Sequence, residues 1–260
     1  MFYSGKIIDC HCHPFVLEKD NIAHYGFPVT ADDFFAEMRR TGYAACCGSV
    51  ILRMMEKTDF EDIRRANRYA LELRERYGNF YIPGIHVHGE YPQESCAELE
   101  ELYHKHGVRW IGELVTYIMH TGAYNCEGMF PIYETAQDLG MVVNIHESDL
   151  KIVEDVLKNF PKLSVVLAHP GDVGSAKERI RFLSEYPNGY LDISGTGIFR
   201  YGMLRHALDV MGSDRVLFGT DFPTCAPGVY EGGVLGEHLT EDELEKVFYK
   251  NFETLTGIVV

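Results

Sequence analysis

Eight short apolar runs, separated by segments of helical pattern, constrain this chain more than any other feature. They are KIIDCH, YAACCGSVIL, FYIPGIHVH, VRWIGELV, MVVNIH, LSVVLAH, GYLDISG and RVLFGTD. Each is short enough for one strand and apolar almost throughout, as strands buried on both faces must be. The clearest intervening helix runs from Thr58 to Gly78, where Ile63, Ala66, Ala70, Leu73 and Tyr77 recur at steps of three and four. Thr30 with Asp33, Ser148 and Thr240 with Glu243 read as helix N-caps, and Gly42, Gly78, Gly107 and Gly257 as stops. Weaker helices are expected at about 92–106, 129–139, 175–186 and 199–211. Strand and helix alternate eight times in 260 residues, which fits a (β/α)8 barrel in both count and length. A doubly wound open sheet is the rival, but no G-x-G-x-x-G follows the first strand. With no internal repeat, low-complexity tract or Pro/Gly/Ser linker, residues 1–260 read as one domain.

Charge narrows the partners. A formal charge of −15 repels phosphate backbones and anionic membrane surfaces, so a small-molecule substrate is favoured over nucleic acid. No run approaches the ~20 apolar residues of a membrane span, and MFYSGKIID lacks the pattern of a secretory signal. The expectation is a soluble, cytoplasmic protein. Seven cysteines without regular spacing then read as reduced thiols. The 16 Tyr and 15 Phe permit a homodimer without requiring one.

Chemistry in a (β/α)8 barrel gathers at the carboxyl ends of the strands. Here the first run ends in His11 and His13, the fourth in Glu113, the fifth in His146, the sixth in His169 and the eighth in Asp221. Imidazole nitrogen and carboxylate oxygen are the ligands of Zn²⁺ and similar ions. Glu113 interrupts an apolar strand, where an ionised carboxylate costs several kcal/mol unless a cation or strong hydrogen bonds compensate. Asp221 repeats that argument. His86 and His88 end the third run without such support and are read as hydrogen-bonded polar residues. Strict strand alternation places His11 and His13 on one face and Cys10 and Cys12 on the other, toward the helices. A cysteine zinc site is disfavoured, because the second close pair, Cys46 and Cys47, is adjacent and diverges in a strand. Arg53, Tyr117 and Arg200 follow the second, fourth and seventh runs, where they are placed to bind substrate.

Assembled in order, these residues resemble the amidohydrolase superfamily, specifically the amidohydrolase-related (amidohydrolase 2) branch of metal-dependent TIM-barrel hydrolases. IIDCHCHP, IGEL, VNIHES, VVLAHPG, EYPNGYLDISG, RVLFGTDFP and KNFETLTG carry the likeness over nearly the whole length. The resemblance implies a metal site built from His11, His13, Glu113, His146, His169 and Asp221. A bridging carboxylate on strand four implies two ions: His11, His13 and Asp221 on one, His146 and His169 on the other, Glu113 between. It further implies a hydrolase with Asp221 as the proton acceptor, and a role for His169 in orienting water if a single ion is bound.

Zn²⁺ is the expected metal, with Mn²⁺ an alternative for a carboxylate-containing site. An amide, lactone or ester of a small molecule is the expected substrate. The same branch contains metal-dependent decarboxylases and hydratases of aromatic or unsaturated acids, which the ligand set alone does not separate from hydrolases. IGEL is also similar to the TatD-type deoxyribonucleases, against which the charge argues, and a non-catalytic metal- or ligand-binding barrel is the remaining alternative.

Overall fold

The computed structural model describes residues 3–53 and 57–260. Eight parallel strands pair in chain order. They are β1 Ile8–Asp9, β2 Ala45–Ser49, β3 Tyr81–Ile85, β4 Trp110–Leu114, β5 Val142–Ile145, β6 Ser164–Leu167, β7 Gly189–Asp192 and β8 Val216–Leu217. The last strand meets the first through main-chain bonds just beyond the regular ladders. Cys10 N–H donates to Phe218 O (2.9 Å), Asp221 N–H to His11 O (2.8 Å) and His13 N–H to Phe222 O (2.8 Å). The sheet therefore closes on itself, and the architecture is the TIM barrel that the strand count predicts.

Helices follow the strands: α1 Ala31–Arg40, α2 Phe60–Tyr77, α3 Pro92–His106, α4 Thr116–Met119, α5 Met129–Leu139, α6 Leu150–Asn159, α7 Val173–Ser184, α8 Met203–Met211 and α9 Pro227–Leu235. The closing α10 Glu241–Glu245 and α11 Asn251–Thr256 are joined by a π-type turn at Lys246–Lys250. Thr30 and Thr240 make capping boxes with Asp33 and Glu243, as their spacing predicts. One helix start and one cap differ from expectation. Asp59, paired with Asp62, starts α2, while Thr58 is buried and donates to Met119 O; Asp149, not Ser148, caps α6. In both cases a carboxylate one residue along takes the helix N–H groups. The helix expected from 199 starts only at Met203, because Gly202 adopts φ 85° and keeps the preceding residues in a loop.

Two apolar layers follow from strand alternation. One consists mainly of helix residues and the outward strand residues they cover. In the other, Ile8, Cys10, Ala45, Cys47, Ile82, Trp110, Val142, Val166 and Leu217 come from seven strands, with Phe252 of α11 against them. Side chains from seven strands meet only inside a barrel, so this layer fills its interior. Cys10 lies in this layer, whereas Cys12 packs in the outer one. This corrects the expectation that both cysteines face the helices: Cys10 keeps the inward face of Ile8, and the alternation breaks between Cys10 and Cys12, past the regular pairing of β1 that ends at Asp9. Among the described residues no helix is long and apolar enough to cross a membrane.

Candidate metal centre

Three local devices aim candidate ligands at the mouth of the barrel. The first is at Glu113. Pairing of β4 with β5 runs Trp110 with Val142 and Ile111 with Val143, but Leu114 with Ile145, so β4 carries one extra residue. Without this bulge Glu113 would share a face with Ile111, which packs in the outer layer. With it, the carboxylate turns into the barrel. Gly112 makes the bulge feasible: it adopts φ 102°, and a Cβ there would lie 2.2 Å from Asn144 O. His169 and Asp221 supply the other two devices, each taking φ 64° immediately after its strand region. Non-glycine residues at positive φ cost about 1–3 kcal/mol, and such strain clusters at functional sites.

The six side chains come together. His11 Nε2 lies 3.1 Å from His13 Nε2, and these atoms lie 3.4 and 3.3 Å from Glu113 Oε2. Asp221 Oδ1 is 3.8 Å from His11 Nε2 and 3.5 Å from His13 Nε2. The other oxygen of Glu113 faces the second group, at 2.9 Å from His146 Nδ1 and 3.2 Å from His169 Nε2. His169 Nε2 and His146 Nδ1 are 3.2 Å apart. Two triads, His11–His13–Asp221 and His11–Glu113–His169, each bring their ligand atoms within 4.8 Å of one another.

Hydrogen bonds on the far sides of the rings identify which nitrogens face the centre. His13 Nδ1 meets the main-chain oxygen of Ser49 at 3.1 Å; that oxygen can only accept, so Nδ1 carries a proton and a neutral ring offers its Nε2 lone pair inward. His11 Nδ1–H donates to Asp192 Oδ2 at 3.0 Å, with the same result. Two inward ring nitrogens 3.1 Å apart, backed by a carboxylate, require a proton or a cation among them. Nitrogen and oxygen donors arranged in this way fit a divalent ion such as Zn²⁺ or Mn²⁺.

The electrostatics agree. Burial favours neutral His11, but Glu113 and Asp192 outweigh it and raise the ring's pKa well above the ordinary value. Burial would also raise Glu113, yet the charge of His11 and hydrogen bonds from His11, His13 and His146 hold it well below the usual carboxylate range. Asp192, despite burial, is held at about 2, chiefly by His11. Glu113 and Asp192 therefore stay ionised and demand positive charge.

A cavity of about 1040 Å³ opens over the cluster, lined by His13, Glu113, His146, His169 and Asp221 together with Arg53 and Tyr117. The Tyr117 ring lies 5.2 Å from that of His146. Arg200 does not line this cavity. It borders a neighbouring one of about 170 Å³, with its guanidinium 5.4 Å from the Phe199 ring centre. His86 and His88 stand apart from the cluster, their Nε2–H groups donating to Val50 O and Thr58 O. The sequence reading missed the groups behind the ligands: Asp192, Ser194, Asn144 and Arg179. Asp192 and Ser194 were legible as polar residues two apart in GYLDISG. Arg179, from α7, donates to Ala168 O, His169 O and Glu147 O, tying together the ends of β5 and β6.

A closed (β/α)8 barrel with histidines and carboxylates converging at the carboxyl ends of its strands defines the class to which this chain belongs. A family model described as amidohydrolase matches residues 8–255, and the chain is a member of that family. No curated protein matches it by sequence. Among solved structures it is similar to 2,6-dihydroxybenzoate decarboxylase from Rhizobium, with a TM-score of 0.76 and 15% identity over 97% of this chain and 98% of that one. It is similar also to a dihydroxybenzoic acid decarboxylase from Polaromonas, bound to manganese and the inhibitor 2-nitroresorcinol (0.75, 17%, 97% and 97%). An uncharacterised TIM-barrel protein from Bordetella bronchiseptica gives 0.73 at 19%, over 97% of this chain and 100% of the other. At these identities the likeness is one of fold.

Proposed function

We propose that the chain is a metal-dependent hydrolase of small molecules bearing an amide, lactone or ester bond, with two divalent ions at the barrel mouth. His11, His13 and Asp221 hold one ion, His146 and His169 the other, and Glu113 serves both. The observation that carries this reading is the division of Glu113, with Oε2 toward His11 and His13 and Oε1 toward His146 and His169. With a divalent ion bound there, the chemistry supplied would be a water of pKa about 7 and a polarised carbonyl. Asp221, beside that water, would accept its proton and return it to the leaving amine or alkoxide. Arg53 and Tyr117, on the cavity wall, orient the substrate.

Decarboxylation of an aromatic acid is the second reading. It is supported by the similarity in fold to decarboxylases of 2,6-dihydroxybenzoate and related acids, one of them carrying manganese. Elemental analysis of protein purified without chelator, followed by assays of an ester, lactone and amide panel and of 2,6-dihydroxybenzoate, separates the two. Hydrolysis predicts two ions per chain and incorporation of ¹⁸O from labelled water into product. One ion per chain with release of CO₂ and no hydrolysis would replace the first reading with the second.

A further inference from the structure

We infer that Ser194 is a positioning residue that sets the ring of His169 and, through Asp192, couples the two halves of the metal cluster. The inference rests on the metal-site reading above. Ser194 is fully buried, and its Oγ lies 3.0 Å from Nδ1 of His169 and 3.0 Å from Nδ1 of His11. The hydroxyl also bonds Asp192 Oδ1, and the Ser194 main-chain N–H donates to that same oxygen at 3.0 Å.

The proton count gives each atom a role. A hydroxyl has one proton and two lone pairs, and an ionised carboxylate only accepts. The Ser194 proton therefore goes to Asp192 Oδ1, which leaves Oγ as an acceptor toward the two rings. His11 has a second acceptor in Asp192 Oδ2. His169 Nδ1 has only the Ser194 hydroxyl among the described residues. Ser194 thus keeps the proton of His169 on Nδ1 and its Nε2 lone pair toward Glu113 and His146. Asn144 Nδ2–H anchors the far end of the chain, donating to Asp192 Oδ2 at 2.9 Å. Asp192 acts on His11 directly and on His169 through the serine, and neither residue touches the cavity over the ligands.

Outer partners of ligating histidines typically change metal affinity about 10–100-fold. The test measures Zn²⁺ affinity and stoichiometry by competition with a chromophoric chelator for the wild type, Ser194→Ala, Ser194→Cys, Asp192→Asn, His169→Ala and the Ser194→Ala/His169→Ala double variant, each confirmed folded by near-UV circular dichroism. Ser194→Ala is expected to weaken Zn²⁺ binding about 10–100-fold, with Ser194→Cys in between, and Asp192→Asn to weaken it further because His11 loses its ionised acceptor and the serine hydroxyl loses the charge that orients it. In the His169→Ala background the serine substitution should have a much smaller effect, since only its contact with His11 is left to lose. Unchanged affinity in folded Ser194→Ala, or an undiminished effect in the His169→Ala background, overturns the inference. A wild type that binds one ion ends the two-ion reading alone, since the double-variant comparison still decides whether Ser194 acts through His169.

Discussion

The two ends of the barrel interior are made by the same strands and have opposite chemistry. At the closed end, Trp110, Val142, Val166 and Leu217 fill the space beside Phe252, and strict alternation accounts for them. A few residues further along those strands stand Glu113, His146, His169 and Asp221, and two of these four rest on departures from a regular strand while a third depends on a bulge. Apolar packing needs only the right face and volume. A site that gathers charge needs side chains aimed at a point, and backbone irregularity supplies the aim.

Substitutions at each end separate the two kinds of organisation. The largest effect is expected at the mouth: Asp221→Ala lowers kcat about 10²–10⁴-fold with little change in KM, measured on a substrate from the panel above. A kcat within threefold of wild type at full metal loading would remove Asp221 as the proton acceptor. At the closed end, Trp110→Ala should destabilise the chain by about 3–5 kcal/mol in urea titrations. Metal bound per folded chain should not change, and parallel loss of both would show that the ends are not separable.

His86, just past the end of β3, is buried with its Nε2–H on Val50 O. Burial drives its pKa down to about 4, against an ordinary value of about 6.5 in the unfolded chain. A depressed histidine pKa means that stability is complete above about pH 6.5 and drains as pH falls toward 4, by about 3 kcal/mol. The difference in stability between wild type and His86→Gln should shrink over that window, whereas a constant difference would exclude His86 as its source. The smallest effect is expected from Gly112→Ala, which forces a Cβ to within 2.2 Å of Asn144 O. Relief of the bulge should cost about 1–3 kcal/mol and weaken metal binding by misaiming Glu113. Loss of stability with full metal affinity would show that the carboxylate does not depend on the bulge.

Much of the fold was legible because each local signal had one physical meaning. Thr30 and Thr240 cap helices wherever the carboxylate three residues on can reply. Eight apolar runs with helices between them leave few ways to bury both faces of each strand. The residues that converge at the mouth were legible for the same reason, since a carboxylate within VRWIGELV requires compensation. Cys12 shows the limit: Cys10 keeps the inward face of Ile8, but Cys12 packs in the outer layer, because alternation holds only while regular pairing lasts and β1 pairs over two residues.

Residue identity, strand order and the concentration of histidine and carboxylate at strand ends were determined by the sequence alone, because periodicity and desolvation act on neighbours along the chain. The bulge that turns Glu113 inward, the bonds from Asp192, Ser49 and Ser194 that orient the rings, and the placement of Arg200 beside rather than within the main cavity were decided by tertiary structure. Each of these depends on atoms from a different strand or helix arriving within a few ångströms, and no local pattern encodes that distance.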